Sequence, residues 1–167
     1  AYYSPGTGDT VPAIGSKVDI RGCANVRYSI VQIQYCQDDA NTQLTFSNVT
    51  AGTVPALGAS DTFAPADLAG DNAAQDSHLG LRVKVDGTIT VVDAAAPECT
   101  NSSGTFCLKM SNGVYLRTAF TYKCTDSLAG PYDGLVGVWD WYESGTNKFR
   151  AVTPLTCADL DAAIPVK

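Results

Sequence analysis

Chemistry in this chain would have to be done with very few groups. Its single histidine, His78, sits in Asp76-Ser77-His78-Leu79, so any Ser–His–acid set must be built around it. No Gly-x-Ser-x-Gly elbow is present. A lone histidine at the start of a strand is more simply a surface or half-buried residue. Asp140 and Glu143, with Asp133 nearby, would serve as acid and base for glycoside hydrolysis only if a cleft split their pKa values. They fall around an expected hairpin, where solvated turn acids are the default. Hard oxygen ligands for calcium are offered by Asp38-Asp39 and by Asp67, Asp71 and Asp76, without an EF-hand loop or a nonapeptide repeat. A structural calcium is therefore the one ion the composition suits. Fifteen aspartates on a β scaffold produce such clusters by turn preference alone, so no metal or cofactor is expected, and the chain does not read as an enzyme.

Six cysteines, Cys23, Cys36, Cys99, Cys107, Cys124 and Cys157, include no Cys-x-x-Cys pair, and one histidine is too few for a mixed zinc site. An even count without metal spacing points to three disulfides and an oxidising compartment. Pairing between sequence neighbours is the first choice: Cys23–Cys36, Cys99–Cys107 and Cys124–Cys157. Beginning at Ala1 with no charged-then-apolar leader, the chain reads as a mature exported product. Asn48-Val-Thr and Asn101-Ser-Ser are sequons that would accept N-glycans in a eukaryotic secretory pathway, making Asn48 and Asn101 candidate glycosylation sites.

The most distinctive local feature is aromatic: Tyr132-Asp-Gly-Leu-Val-Gly-Val-Trp139-Asp140-Trp141-Tyr142. On a strand Trp139 and Trp141 share a face, opposite Val138, Asp140 and Tyr142. Three roles are open to the tryptophans. They add bulk to the core, bury at a subunit contact, or form a sugar-stacking platform flanked by Asp140 and Asn147. Tyr2 and Tyr3 add two aromatics near the N-terminus, suited to an anchor in a neighbour's groove. Tyr2, Tyr3, Tyr132, Trp139, Asp140, Trp141 and Asn147 are thus the candidate contacts for a partner or a sugar.

Positioning these groups falls to strands. Leu79, Leu81, Val83 and Val85 alternate with smaller or charged residues up to Asp86-Gly87, and Thr88–Val92 follows. Asp-Gly between alternating runs is a strong hairpin signal, because a type I′ turn needs positive φ at both central residues. The device returns at Asn112-Gly113, between Phe106–Met110 and Val114–Tyr122. A third hairpin is expected from Leu135–Tyr142 to Lys148–Thr153. Lys17–Cys23, Val26–Cys36 and Thr42–Val49 add strands earlier on. About nine strands, half-buried by alternation, predict an all-β fold: an antiparallel β-sandwich, jelly-roll-like or Ig-like, braced by disulfides. Helix is minimal, one turn near Pro65–Ala69 and another near Ala158–Ala163. Residues 1–16, with two prolines and three glycines, read as an extended arm. Residues 17–167 read as one domain, with a long loop over 51–77 that shows no strand of its own.

At 167 residues and 17.5 kDa, with 45% hydrophobic and 17% charged residues, the chain can bury a substantial core and is too apolar for a disordered segment. Fifteen aspartates against two glutamates favour turns and strands over helix interiors. A net charge of −6, with six lysines and five arginines scattered singly, disfavours nucleic acid and anionic membranes. No apolar run approaches the roughly 20 residues of a spanning helix, so membrane insertion is not expected. Disulfides, low charge and abundant Thr, Ala, Gly and Val without a reactive centre suit a secreted structural or interaction protein. The expected role is a self-associating subunit of an extracellular assembly (filament, coat, matrix or adhesive appendage), whose partner is another copy or another extracellular protein. The alternative is a carbohydrate-binding, lectin-like module.

Overall fold

Alternating and β-branched runs become strands, but short ones. The computed structural model describes residues 12–27, 30–34, 44–69, 73–101, 104–117 and 130–164. The chain divides into two compact units, Ala1–Ala56 and Leu57–Lys167, with the boundary inside the stretch expected as one long loop.

In the first unit, β1 (Lys17–Arg21), β2 (Cys23–Arg27), β3 (Ile30–Gln34) and β4 (Thr45–Thr50) make two antiparallel ribbons, β1 with β4 and β2 with β3. The β2–β3 ladder is regular from Cys23↔Gln34 to Arg27↔Ile30. The β1–β4 ladder is irregular between Lys17 and Asp19. Opposite that break Asn48 holds φ +49°, and its amide donates to Asp19 at 2.6 Å. Among residues 12–24, Val26, Ile33 and residues 44–56 of this unit none is buried.

The second unit holds β5 (Thr62–Phe63), β6 (Arg82–Val85), β7 (Thr88–Ile89), β8 (Val91–Asp93), β9 (Thr100–Asn101), β10 (Gly104–Thr105), β11 (Cys107–Met110), β12 (Tyr115–Arg117), β13 (Tyr132–Asp133), β14 (Val136–Ser144) and β15 (Asn147–Thr153). Seven of them form one sheet in the order β5-β6-β14-β15-β12-β11-β8, while β7–β13 and β9–β10 pair separately. The one α-helix among the described residues, α1 (Cys157–Asp161), starts on a capping box: Thr156 Oγ1 accepts from the Asp159 amide, and Asp159 accepts from the Thr156 amide.

The described chain is mostly β with little helix, and the two expected helical turns are present at Pro65–Leu68 (3₁₀) and at α1. Several finer expectations need correction. The large sheet is mixed: β5–β6 and β12–β15 run parallel. Its faces are both covered, so alternation between them carries no information about strand direction. Successive residues of one strand enter different cores. Leu108, Leu116, Trp139 and Val152 join Val83, Val85, Met110, Val114 and Leu68 on one side, whereas Cys107, Tyr115, Phe149 and Ala151 join Ala96, Cys99 and Phe106 on the other.

Asp86-Gly87 does not close a hairpin. Strand β6 pairs with β14 and β5, and β7 pairs with β13. Gly87 does hold a positive φ of +134°, but Asp86 does not, so the I′ requirement is unmet. Asn112-Gly113 does join a hairpin, β11–β12, through a three-residue loop rather than a two-residue turn: Met110 N donates to Val114 O and Gly113 N to Met110 O, with only Gly113 left-handed at φ +82°. The third hairpin forms as expected, β14–β15 in register from Val138↔Thr153 to Ser144↔Asn147. The 51–77 stretch is not structureless. It holds three 3₁₀ turns and β5, and it buries Leu68 in the main core.

Gly137 in β14 faces that core where a side chain has no room. A Cβ there would lie 2.6 Å from Val152 Cγ1 and 2.8 Å from both the carbonyl carbon and the oxygen of Thr153. Backbone cannot swing aside as a flexible side chain can. Gly137→Ala is therefore expected to lower stability by about 1–3 kcal/mol, read as a reduced urea midpoint; an unchanged midpoint would refute this packing.

Candidate functional site

The β14–β15 hairpin gathers most of the residues singled out by sequence, and its two faces differ. On one face Trp139, directly opposite Val152, is 0% exposed. Its backbone bonds on both sides of the 80–81 turn, accepting from Gly80 N and donating to Leu81 O. The core role is thus the one the structure assigns to Trp139. Trp141, two residues on, is half-buried at the sheet end and faces Arg150, whose guanidinium carbon lies 5.0 Å from the ring. Arg150, itself buried, forms a two-pronged ion pair with Asp76, Nε to Oδ1 at 2.7 Å and Nη2 to Oδ2 at 2.8 Å. The Arg150 hydrogen bonds hold the Asp76 carboxyl below the usual carboxylate range, against the opposing effect of desolvation. The Trp141 indole N–H donates to Glu143, and Glu143 also pairs with Lys148 at 2.6 Å.

On the opposite face an aromatic row crosses the sheet. Tyr115 stacks on Phe149 with centroids 4.1 Å apart, Phe149 on Tyr142 at 4.8 Å, and Phe106 leans on Tyr142 at 5.2 Å. Arg117 sits 5.1 Å from the Tyr142 centroid and pairs with Asp140 at 2.7 Å. At the other end the Tyr115 hydroxyl donates to Glu98, with Lys109 3.8 Å from the same carboxylate. Burial and the Glu98 carboxylate push the Tyr115 phenol well above its ordinary pKa, and the reciprocal hydrogen bond lowers Glu98. The Cys99–Cys107 disulfide ties the Glu98 turn to β11 and secures this face.

This geometry decides several proposed arrangements. Asp140 and Glu143, an odd number of residues apart on one strand, lie on opposite faces, one held by Arg117 and the other by Lys148. They do not flank one sugar. In Asp76-Ser77-His78, Ser77 Oγ lies 3.2 Å from His78 Nδ1, but the Asp76 carboxylate is committed to Arg150, and His78 packs edge-on against Phe63. The three residues are therefore not arranged as a catalytic relay. Asp67 accepts from the Ala64 amide at the start of its own 3₁₀ turn. Among the described residues no three His, Cys, Asp or Glu side chains converge, and no helix is long and apolar enough to cross a membrane.

Tyr132 is fully buried, its phenol pushed up to about 12 by desolvation. Asn147 is half-buried at the foot of β15 and pairs with Ser144. Asn48 is exposed, while Asn101 lies in the short β9–β10 ladder inside the disulfide loop. Cys99–Cys107 is the pairing expected between sequence neighbours; Cys23 and Cys157 are also disulfide-bonded. Tyr2, Tyr3, Cys36, Asp38, Asp39, Asp71 and Cys124 lie outside the described residues.

Sequence reasoning missed Asp76–Arg150, 74 residues apart, and Tyr115–Glu98, 17 apart. No local signal marks either pair, since each depends on which strands become neighbours. No protein-family model matches the chain, and neither the curated proteins nor the solved structures contain a significant match.

Proposed function

We propose that the chain is a secreted, self-associating subunit of an extracellular assembly. One observation carries this reading. In the described part of the first unit the strands make two two-stranded ribbons, and residues 12–24, Val26, Ile33 and residues 44–56 bury no side chain. Among the described residues this unit also holds six of the eight exposed large apolar ones: Ile14, Ile20, Val26, Ile33, Val49 and Val54. A two-stranded ribbon is marginal in water unless something covers its apolar face. Exposed apolar surface and unpaired strand edges are what a partner chain recognises. The second unit, by contrast, has two buried apolar clusters and holds Arg150 with Asp76, Arg117 with Asp140 and Tyr115 with Glu98 in internal pairs. Its polished interior suits a rigid building block.

Sedimentation velocity on the full chain from low to high micromolar concentration, with negative-stain microscopy of the same samples, tests the reading. Growth of the sedimenting species with concentration is the expected result. A strictly monomeric chain throughout would overturn it. Such a monomer, if it also bound immobilised glycans with quenching of Trp141 fluorescence, would instead favour the carbohydrate-binding alternative.

A further inference from the structure

We propose that Asn48 carries an N-linked glycan and that Asp19 holds the sugar-bearing amide on the polar face of the β1–β4 ribbon. The inference rests on the export half of the proposed function and not on self-association. Asn48-Val49-Thr50 has the acceptor spacing, and the acceptor must sit where a folded chain leaves room for a bulky, hydrated group. All three residues are exposed on β4. Ladder partners Lys17↔Thr50 and Asp19↔Ser47 leave Val18 opposite both Asn48 and Val49, a two-against-one bulge. Strand alternation alone would turn Asn48 toward the face of Ile20 and Phe46, where Phe46 is half-buried.

The backbone departs from the strand instead. Asn48 holds φ +49°, the one positive φ outside glycine among the described residues. A bulge of this kind re-aims a side chain. The Asn48 side chain reaches Asp19 on the other face, where Nδ2 donates to Oδ2 at 2.6 Å. Lys17, Asp19, Arg21, Thr45, Ser47 and Thr50 make up that face, every one polar and exposed. Glycine would satisfy a left-handed backbone at less cost, so what asparagine adds there is its amide. Transfer joins C1 of the sugar to Nδ2. The C1–O bond of a lipid-diphosphate-linked oligosaccharide breaks, its electron pair leaves with the diphosphate, and one Nδ2 proton passes to the transferring enzyme. The second Nδ2 proton stays, so the glycosylated amide keeps a donor for Asp19. Sugar and partner chain do not compete, because Ile20 is 48% exposed on the opposite, apolar face.

Glycopeptide mass spectrometry of the full chain, exported through a eukaryotic secretory pathway, tests the acceptor. A glycan on Asn48 is expected, released by an amidase that leaves aspartate behind, and absent from Thr50→Ala. Bare Asn48 in the exported chain would overturn the assignment, as would a glycan on Asn101 alone. The part given to Asp19 has its own readout, hydrogen exchange of the glycosylated Nδ2–H followed by NMR. Exchange is expected to be several-fold faster in Asp19→Ala than in the wild type. Asp19 is exposed, so the variant is expected to stay folded, checked by unchanged far-UV circular dichroism. Equal exchange rates would remove Asp19 from the site. A glycosylated chain that stays monomeric would sink self-association and leave this inference standing. An assembling chain with bare Asn48 would do the reverse.

Discussion

Trp139→Ala is expected to lower the unfolding free energy by about 3–5 kcal/mol, a large share of the roughly 5–15 kcal/mol typical of a domain. The indole is fully buried among Val83, Leu116 and Val152, and the sheet around it is pinned on both sides by the 80–81 turn and β15. Neighbouring strands cannot collapse into the space without breaking their ladders, so the cavity term is retained. Trp139→Phe should cost clearly less. It keeps most of the aromatic packing, and it removes an indole Nε1 that is buried with no hydrogen-bond partner. Urea unfolding followed by circular dichroism separates the two substitutions. The same measurement bears on function. If Trp139 belonged to a sugar platform, alanine would abolish ligand binding and leave the urea midpoint in place, and that result would remove Trp139 from the core.

How far the fold can be read from residue order is clearest at the three hairpin signals. Glu143-Ser-Gly-Thr-Asn lies between two long alternating runs with nothing else in reach, and it closes the β14–β15 hairpin. Asn112-Gly113 also closes a hairpin, but the left-handed glycine serves a three-residue loop, a distinction that composition does not encode. Asp86-Gly87 carries the same kind of signal as Asn112-Gly113, and its strands part to different sheets. The deciding partners there are β14 and β13, about fifty residues downstream, and local turn preference cannot compete with two long-range ladders. The 51–77 stretch escaped for a related reason. Its 3₁₀ turns have neither a strand's nor an α-helix's period, and one leucine, Leu68, supplies its anchor.

Cys99–Cys107 was legible because the pair lies eight positions apart around the Ser- and Gly-containing sequence Asn101-Ser-Ser-Gly104. The candidate contacts divide along the same line. Alternation correctly places Trp139 and Trp141 on one face, yet it cannot say that the face is covered over Trp139 and half-open at Trp141. The exposed ribbons of residues 12–56 show the converse. Their β-branched pattern reads as ordinary core strands, and only the fold shows that Ile20, Val26, Ile33 and Val49 are exposed.

Asp76→Ala is expected to cost about 2–3 kcal/mol and Arg150→Met about 1 kcal/mol, an asymmetry set by where each partner sits. The Arg150 side chain is 10% exposed and Asp76 39%, so water can take over the carboxylate far more readily than the guanidinium. The same exposure screens the pair, which keeps the expected values at or below the low end of the buried-pair range. In a double-mutant cycle a coupling near 1–2 kcal/mol follows.

The pair also fixes a pH dependence. Asp76 titrates below its ordinary value because the folded state favours its ionised form. Its contribution is therefore fully present above the unfolded carboxylate pKa of about 3.9 and is lost as pH falls through the lower folded value. The stability gap between the wild type and Asp76→Ala should hold constant from pH 7 down to about 5 and close below about 4. Glu98, whose pKa is also lowered, titrates in both proteins and cancels in the difference. A gap that instead widened on acidification would mean that Asp76 is held neutral in the folded chain, and the Arg150 clamp would have to be abandoned.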